Sequence, residues 1–442
     1  MSDIKRAFNN KVIPLTLAAV AIVALSAILP PVTVSPGESI QQAVDSTQPG
    51  GKVIVQAGVY PEQVTISRPL TLIADGEVKV NGFIVEADDV TIQGFDITST
   101  GYGVRVYNAR CRIFDNYIHD TWWDGILLEA SSDACLIAGN KFERTSQTAA
   151  EVRGNNHIIE DNEVVDVYQT PPGSTFTRAQ GADADGFRFF GGGHYFLNNY
   201  IHDIGYGTAT NPDPHTDCFQ SWKDTAPRSQ AHDITFDGNV CFLSWDDDPQ
   251  VSKAFQFGSV VNATVINNVS RTRMAAVIQD GSRDIQFVHN TFIGDGALSW
   301  GIELNKNVTS ITVTGNIFYH QENGYGYLIT KSGVTGTFGG NCVYTTTRTP
   351  PGSPRPGDVW GLDPLFVDYD NDDFRLQSGS PCDAMGAFLQ PTVTETITPT
   401  STRTPSPTAS ETATPTLTVT ATPTQVCHVL EDAKYVITVC EK

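Results

Sequence analysis

The stretch Phe114-Asp115-Asn116-Tyr117-Ile118 contains the pattern that decides the fold: an apolar residue, a turn pair ending in Asn, and a second apolar stretch. Between successive copies of this pattern the Asn residues are 24, 22, 37, 40, 29, 22, 26 and 25 residues apart. A period of this length with short strand-like units predicts a solenoid in which each repeat forms one coil. The Asn residues of the pattern are Asn116, Asn140, Asn162, Asn199, Asn239, Asn268, Asn290, Asn316 and Asn341.

These Asn residues are expected to be structural. A carboxamide can bond backbone groups of its own turn and of the next coil, and Asn tolerates the left-handed conformation that a sharp corner needs. The two long spacings, between Asn162 and Asn239, predict extra loops on neighbouring coils. Because binding residues tend to lie on such loops, we expect the functional residues near these insertions.

A second ladder precedes the Asn residues by 13–15 residues in most coils and consists of a small residue followed by alternating apolar positions. Alternation places one set of side chains inward and the other outward. We expect the outward set to make one wall of the solenoid polar and partly charged. That set is Arg105, Arg188, Gln220, Gln256 and Glu303, with Leu127 as the exception.

The composition limits the partners. The formal net charge of −21 argues against nucleic acid and against anionic membrane surfaces, because both require basic patches. It permits a polyanionic substrate, since a local basic cleft can lie on an acidic protein. The sequence does not define an oligomeric state.

Residues 1–31 have a basic start and an apolar run, which predicts a signal peptide or a signal anchor. We therefore expect an extracellular or cell-surface protein that contacts a membrane only through this segment, if it is retained. Export permits disulfides, and the eight Cys residues fit either pairing or buried thiols. Cys427 and Cys440 could close a hairpin in the tail.

The remaining chain divides into three parts. Residues 32–387 form the solenoid, which begins with a short amphipathic helix after Gly37 that would cap its apolar end and finishes with a last coil at 362–383. Residues 388–426 form a Thr/Ser/Pro-rich linker that cannot pack a core. Residues 427–442 form a short Cys-flanked segment.

The coils, the Asn corners, the capping helix and the phrase Asp89-Val90-Thr91-Ile92-Gln93-Gly94-Phe95 resemble the pectate-lyase-like superfamily of right-handed parallel β-helix proteins. The resemblance covers about 32–387. It implies an all-β fold, a single-stranded right-handed parallel β-helix. It does not imply one activity, because the superfamily contains lyases, hydrolases, epimerases, tailspikes and adhesins.

The densest polar cluster lies in the segments 183–188 and 215–220. Aligning Gly186 with Cys218 on adjacent coils places Asp185 beside Asp217. Stacked coils are about 4.8 Å apart, so two such carboxylates repel unless a cation lies between them or one stays protonated.

The same alignment places Arg188 beside Gln220. It also places Asp124 and Lys253 in one column with Asp185 and Asp217. Arg188 and Asp217 are expected to point outward between the two longest insertions. Their substitution would then abolish turnover and leave the melting temperature nearly unchanged. The structural alternative is that Lys253 simply pairs with Asp217.

Carboxylates beside Lys and Arg suit a calcium-assisted elimination on a uronate polymer. The expected calcium ligands are Asp183, Asp185 and Asp217. Arg188 or Lys253 would take the α-proton, and Lys loses its own proton more readily than Arg. Calcium is the only cofactor expected.

Further candidates surround this cluster. His215 could be a general acid or a loop residue bonded to Asp213. Substrate contacts are expected from Trp122, Trp123, Asp124, Gln220 and Gln256, because aromatic rings beside polar groups suit sugars.

Three function classes follow. The leading one is a lyase acting on an acidic polysaccharide. A hydrolase would need carboxyl groups about 5 Å apart for retention or about 6.5–9.5 Å for inversion. The third is a non-catalytic adhesion or carbohydrate-binding module.

The composition of the linker generates a first prediction. Limited proteolysis should cut the protein within 391–424, while the coils resist digestion, because a Thr/Ser/Pro-rich segment has no core to protect it. The fragments are identified by mass spectrometry. Early cleavage within 116–316, with 391–424 intact, would contradict this domain boundary.

Overall fold

The computed structural model describes residues 30–168, 184–204, 216–223, 226–243, 252–294, 299–319, 327–346, 350, 352–387, 427–432 and 435–440. Asp183, His215, the signal segment and the linker lie outside these residues. The chain divides into two compact units, Met1–Pro391 and Thr392–Lys442. Within the described residues no helix has the length and apolar character of a membrane span.

The first unit is a right-handed parallel β-helix, as the repeat pattern predicts. Each coil contributes one short strand to each of three rows, and every strand pairs in parallel with the equivalent strands of the coils before and after it. A parallel strand connection is right-handed in almost all proteins. The long strands Gly51–Tyr60 and Leu70–Val80 belong to both row 1 and row 2 and join them into one sheet.

Row 1 precedes the Asn corner in each coil. Besides the two long strands it contains Val32–Val34, Thr91–Gln93, Arg112–Phe114, Leu136–Ala138, Ile158–Glu160, Tyr195–Leu197, His232–Asp237, Val261–Ile266, Arg283–Val288, Thr309–Thr314 and Gly336–Phe338.

Row 2 follows the Asn corner. Besides the two long strands it contains Asp96–Ser99, Tyr117–Thr121, Lys141–Glu143, Glu163–Val165, Tyr200–His202, Val240–Phe242, Val269–Thr272, Thr291–Gly294, Ile317–Tyr319, Cys342–Tyr344 and Val359–Trp360.

Row 3 is the second ladder of the sequence. Its strands are Val64–Ile66, Phe83–Val85, Val104–Val106, Ile126–Leu128, Thr148–Val152, Asp185–Phe189, Thr216–Ser221, Ser252–Gly258, Met274–Gln279, Trp300–Leu304 and Leu328–Thr330.

The helix Ile40–Ser46 lies at the N-terminal end of the coils, as predicted. Ser39 caps it by accepting a hydrogen bond from the Gln42 amide, and its buried residues include Ile40 and Val44. Short apolar side chains of the three rows fill the interior, and stacked Phe rings replace them in the middle coils. The helix therefore covers one end of a continuous apolar core, as terminal repeats must.

The Asn residues stack at the corner between rows 1 and 2. Each is almost fully buried, and in all but the last, Asn341, the Nδ2 donates to the Oδ1 of the Asn one coil later at 2.9–3.0 Å. The same Oδ1 accepts the backbone amide of the preceding Asn. The last amide, of Asn341, donates instead to Asp358. The structural role expected for these residues is confirmed.

The left-handed backbone conformation lies one residue earlier than expected. The residues with positive φ immediately precede the ladder Asn, as at Asp115, Gly139 and Asp161. The ladder Asn itself does not have a positive φ, and its side-chain amide forms the hydrogen bonds between coils.

The segment after the last coil does not form another coil, so the expectation for 362–383 is wrong. The strands Phe366–Asp368 and Asp373–Leu376 pair antiparallel around the 3₁₀ turn Tyr369–Asn371. Phe366 and Phe374 pack on the outer side of row 2 in a second apolar cluster. The last coils of row 2 are thereby covered.

Some of the described cysteines form disulfides and others are buried thiols, so both alternatives occur. Cys218 bonds to Cys241 and Cys342 bonds to Cys382, whereas Cys111 and Cys135 are buried thiols. In the second unit the strands Cys427–Asp432 and Tyr435–Cys440 pair antiparallel, and the register places Cys427 opposite Cys440.

The Asn ladder generates a second prediction. Asn199→Ala should lower the free energy of unfolding, because the backbone amide and Nδ2 of Asn162 lose their shared acceptor. Each buried group left unsatisfied costs about 1–3 kcal/mol. Chemical denaturation followed by circular dichroism measures the change. The exposed Asn81→Ala is the control, and equal effects of the two substitutions would refute the role of the ladder.

Candidate functional site

The register of row 3 confirms the predicted column. Thr148 pairs with Asp185, and Asp217 pairs with Lys253 on the next coil. The pairing of Phe187 with Phe219 places Asp185 beside Asp217. Asp124 is level with Thr148, because the following residues of the two strands pair in register. It therefore lies two coils from Asp185 and does not join the central group.

Four charged side chains do come together, and with Gln220 they form what we call the charged cluster. Arg188 Nε donates to Asp185 Oδ2 at 2.7 Å, and Lys253 Nζ donates to Asp217 Oδ1 at 3.2 Å. Gln220 Nε2 donates to the other Asp217 oxygen at 3.1 Å. Two carboxylates on adjacent coils are thus each neutralised by a cation of the chain itself.

One contact of this cluster departs from strand alternation. Asp185 and Arg188 are three residues apart, yet their side chains meet, which the alternation of a regular strand forbids. Between them lies Gly186, where an added Cβ would approach the Cys218 carbonyl oxygen to 2.6 Å. The small residue of the second ladder therefore lets adjacent coils approach each other beside this cluster.

The second group of charges adjoins the cluster, and we call it the Glu151 network. Arg228 binds Glu151 through two hydrogen bonds of 2.8 Å, and Arg153 binds it at 2.5 Å. Arg153 also contacts Glu129, which accepts from Arg105. Burial raises the pKa of Glu151, but the Arg228, Arg153 and Arg188 charges outweigh it, so the pKa is lowered.

Trp222 links the two groups. The Arg188 guanidinium lies 5.6 Å from its ring and the Arg228 guanidinium 5.0 Å, while Phe190 contacts the ring edge to face at 4.8 Å. A guanidinium over an indole ring is a favourable cation–π geometry. Residues after the row 3 strand Thr216–Ser221 thus pack on the outside of that row.

Burial corrects one expectation. Arg188 and Asp217 lie on the outer side of row 3, but they are only 5% and 0% exposed. Breaking one of these buried pairs should cost stability, so an unchanged melting temperature is no longer expected. Alternation identifies which side of a strand faces away from the core. It does not reveal what packs on that side.

Of the remaining predicted residues, Gln256 adjoins the cluster, whereas Trp122 and Trp123 lie apart from it. Gln256 is half-buried on the same outer column, next to Gln220 in register. Trp122 and Trp123 are 39% and 37% exposed in the turn before Asp124. Trp122 lines a cavity of about 540 Å³ with amide and hydroxyl groups, namely Gln63, Asn81, Thr98, Ser99 and Thr100.

The metal and general-acid predictions remain predictions. Asp183 and His215 lie outside the described residues. Among the residues that are described, no group of three or more His, Cys, Asp or Glu side chains could hold a metal ion. Since Arg188 and Lys253 already neutralise Asp185 and Asp217, this donor set by itself does not fit calcium.

Sequence reasoning missed Glu151, Arg153 and Arg228. Glu151 follows Ala149 and Ala150, and Ala149 precedes Asn162 by 13 residues, which is the offset of the second ladder. That offset would have identified Glu151 as an outward residue. Arg228 lies between strands, and no sequence pattern signals its contact with a residue 77 positions earlier.

Comparison with known proteins agrees with the fold. The family model described as a right handed beta helix region matches residues 76–213. No curated protein matches the chain. The matching solved structures include an alginate lyase from Paenibacillus sp. str. FPU-7, which is 12% identical, with 70% of this chain and 98% of that chain covered at a TM-score of 0.45.

Two further matching structures are an adhesin and a tailspike protein. The surface protein and adhesin PfbA of Streptococcus pneumoniae is 12% identical, with 70% of this chain and 95% of that chain covered at a TM-score of 0.42. A tailspike protein of E. coli bacteriophage HK620 is 14% identical, with coverages of 72% and 60% and a TM-score of 0.46. At such identities the likeness concerns the fold alone. The chain is a right-handed parallel β-helix protein whose site must be argued from its own residues.

The Glu151 network generates a third prediction. Glu151→Gln should lower the free energy of unfolding at neutral pH by on the order of 3 kcal/mol, because the anion at a buried position is lost and two part-buried guanidiniums lose their partner. The pKa of Glu151 is lowered from 4.5 in the folded protein, so its contribution is present above pH 4.5 and is lost as pH falls through the folded value. The difference between the two proteins should therefore shrink in acid.

Denaturation at a series of pH values measures this difference. Glu303→Gln is the control, since Glu303 pairs with the half-exposed Lys331 and should contribute less than about 1 kcal/mol. A difference between wild type and Glu151→Gln that stays constant from neutral to acidic pH would contradict the argument.

Proposed function

We propose that the protein is an exported, carbohydrate-active enzyme that cleaves an acidic polysaccharide at the charged cluster. The observation that carries the proposal is that Asp185, Arg188, Asp217 and Lys253 meet on adjacent coils of row 3 at almost no exposure. The pairing of Lys253 with Asp217 is also the contact that the structural alternative predicted. Replacing a buried ion pair by well-packed apolar side chains often leaves the stability of a protein unchanged or raises it, so these pairs are not explained by stability alone. Buried charges on adjacent strands are typical of sites that need tuned proton transfer.

A second observation favours an acidic substrate. Lys223, Lys306 and Lys331 line a cavity of about 630 Å³, where Asp280 is the one acidic residue among the described lining residues and Lys331 is paired with Glu303. Lys223 directly follows Trp222, whose ring contacts Arg188. A concentration of lysines on a chain of net charge −21 suits the carboxylates of a uronate polymer.

In this proposal Arg188 neutralises the substrate carboxylate and Lys253 transfers the proton. Lys253 first passes a proton to Asp217 along the 3.2 Å hydrogen bond and then takes the α-proton as a free amine. The bond to the leaving sugar oxygen breaks as the double bond forms, and that oxygen takes up a proton. His215 is proposed as its donor. Arg188 is the poorer base, because a guanidinium hardly deprotonates.

Hydrolysis is the nearest variant, but the ion pairs favour elimination. Carboxylates on adjacent coils are close to the separation of about 5 Å that retaining hydrolases use. One of the pair must then be protonated to act as the acid. Asp185 and Asp217 each face a cation, whereas the elimination above asks Asp217 only to hold the Lys253 proton and asks neither carboxylate to act as the acid. Calcium stays a prediction without a step assigned to it.

A non-catalytic carbohydrate-binding module is the second candidate. It is favoured by Trp122, which is exposed beside a cavity lined with amide and hydroxyl groups. Such surroundings suit a sugar ring, and they also include Asp120, which pairs with Arg144. The solved structures described above are a lyase, an adhesin and a tailspike, and they carry no argument for either candidate.

The assay generates a fourth prediction. Purified protein is incubated with uronate polymers, with calcium and with a chelator, and the unsaturated product is followed by its absorbance. Lys253→Met and Asp217→Asn should each lower turnover by at least about 100-fold, because they remove the proton-transfer pair. Arg105→Gln, which removes an ion-paired Arg of the neighbouring network, is the matched control and should keep most of the activity.

A double variant separates catalysis from folding. Asp217→Leu combined with Lys253→Met replaces the ion pair by apolar groups, which should restore stability relative to either single variant. Activity should stay lost. A double variant that cleaves as fast as wild type would refute the site. A wild type that binds but cleaves no uronate polymer under any condition would favour the binding module.

A further inference from the structure

One pentapeptide occurs twice in row 2. Asn116-Tyr117-Ile118-His119-Asp120 and Asn199-Tyr200-Ile201-His202-Asp203 are identical in sequence. The register runs from Tyr117 through Lys141 and Glu163 to Tyr200, so the copies are three coils apart. At about 4.8 Å per coil this is a separation of roughly 14 Å along the solenoid axis.

The two copies form matching arrangements, which we call Tyr–His modules. The Tyr and His rings stack at centroid distances of 4.1 Å and 4.2 Å, each with an interplanar angle of 19°. In both, His Nδ1 lies 2.6 Å from the Asp that follows it. His Nε2 lies near a carboxylate of the preceding coil, Asp96 at 2.7 Å and Glu163 at 3.4 Å.

The fold accounts for only part of the pentapeptide. The Asn is the ladder residue of the corner, and Ile118 and Ile201 are buried in the core. The Tyr, His and Asp side chains lie on the outer side of row 2. Other coils hold different residues at the Tyr and His positions, for example Lys141 with Glu143 and Val240 with Phe242. The repeat therefore does not require a Tyr–His pair.

Each module lines a cavity. One, of about 490 Å³, is bounded by Tyr117 and His119 together with Glu77, Lys79, Asp96 and Asp115. The other, of about 340 Å³, is bounded by Tyr200, His202 and Asp203 together with Phe242, Arg271 and Asp372. Arg271 pairs with Asp372 of the covering C-terminal segment at 2.7 Å. The uncovered part of row 2 thus ends at the second module.

We propose that the outer side of row 2 binds a neutral oligosaccharide across the two Tyr–His modules. Aromatic rings beside carboxylates and imidazoles offer a stacking surface and hydrogen-bond partners for sugar hydroxyls. At the first cavity Glu77, Asp96 and Asp115 outnumber Lys79, and at the second Asp203 and Asp372 outnumber Arg271. This charge disfavours the acidic polymer proposed for row 3 and favours an uncharged chain long enough to span three coils.

This site is independent of the charged cluster, because it lies on a different row. Isothermal titration of the full chain with neutral gluco-, manno-, galacto- and xylo-oligosaccharides of increasing length tests it, with uronate oligomers alongside. One neutral series should bind, and its affinity should rise stepwise once the chain reaches both modules. Tyr117→Ala or Tyr200→Ala should each lower that affinity by about tenfold and remove the step.

Tyr195→Ala is the matched control, since Tyr195 is 48% exposed on row 1 of the same coil as Tyr200. It should leave the affinity unchanged. All three variants should also keep the turnover of uronate polymers, if wild type has it. The proposal is overturned if no neutral series binds, if only uronate oligomers bind, or if Tyr195→Ala weakens binding as much as the two module variants.

Discussion

The stacking of coils in the first unit depends on the hydrogen bonds that the buried backbone amides and carbonyls form at the corner between rows 1 and 2. A chain that turns sharply away from water there leaves amides and carbonyls that need partners. The stacked Asn carboxamides supply them: each Nδ2 reaches a carbonyl of the preceding coil and the Oδ1 of the next Asn, as Asn162 does with Ile137 and Asn199. One repeated side chain therefore sets the axial register of the coils.

Axial register has a consequence for charge. Parallel coils bring equivalent residues to about 4.8 Å, so like charges at one position of the repeat become neighbours. In row 3 the repulsion between like charges is avoided because opposite charges on neighbouring coils or loops pair with them. Lys253 follows Asp217, Arg153 bonds back to Glu129, and Arg228 reaches Glu151 from outside the row. The ion pairs neutralise the charges that stacking brings together, so a functional role must use groups that already satisfy one another.

The sequence allowed most of the fold to be predicted, because period and offset are local properties. The Asn spacing revealed the corner, and the constant distance to the second ladder placed Asp185 beside Asp217. The conformation of the corner was assigned one residue too late, since Asp115 and Gly139 take the left-handed geometry. Burial of the cluster could not be predicted, because it depends on contacts such as those of Trp222 that come from outside the repeat.

Rows 2 and 3 show how one repeat geometry supports two kinds of surface. On row 3, Asp185 and Asp217 are excluded from water, so their interactions are strong and removal of a partner is costly. On row 2, Tyr200 is 42% exposed and its neighbouring Asp203 remains hydrated, so little is lost when a ligand is absent. Proton transfer benefits from the first environment, whereas reversible recognition of hydroxyl groups needs the second. Because the coil tolerates either set of outward side chains, the chemistry of each row is decided by what packs against it.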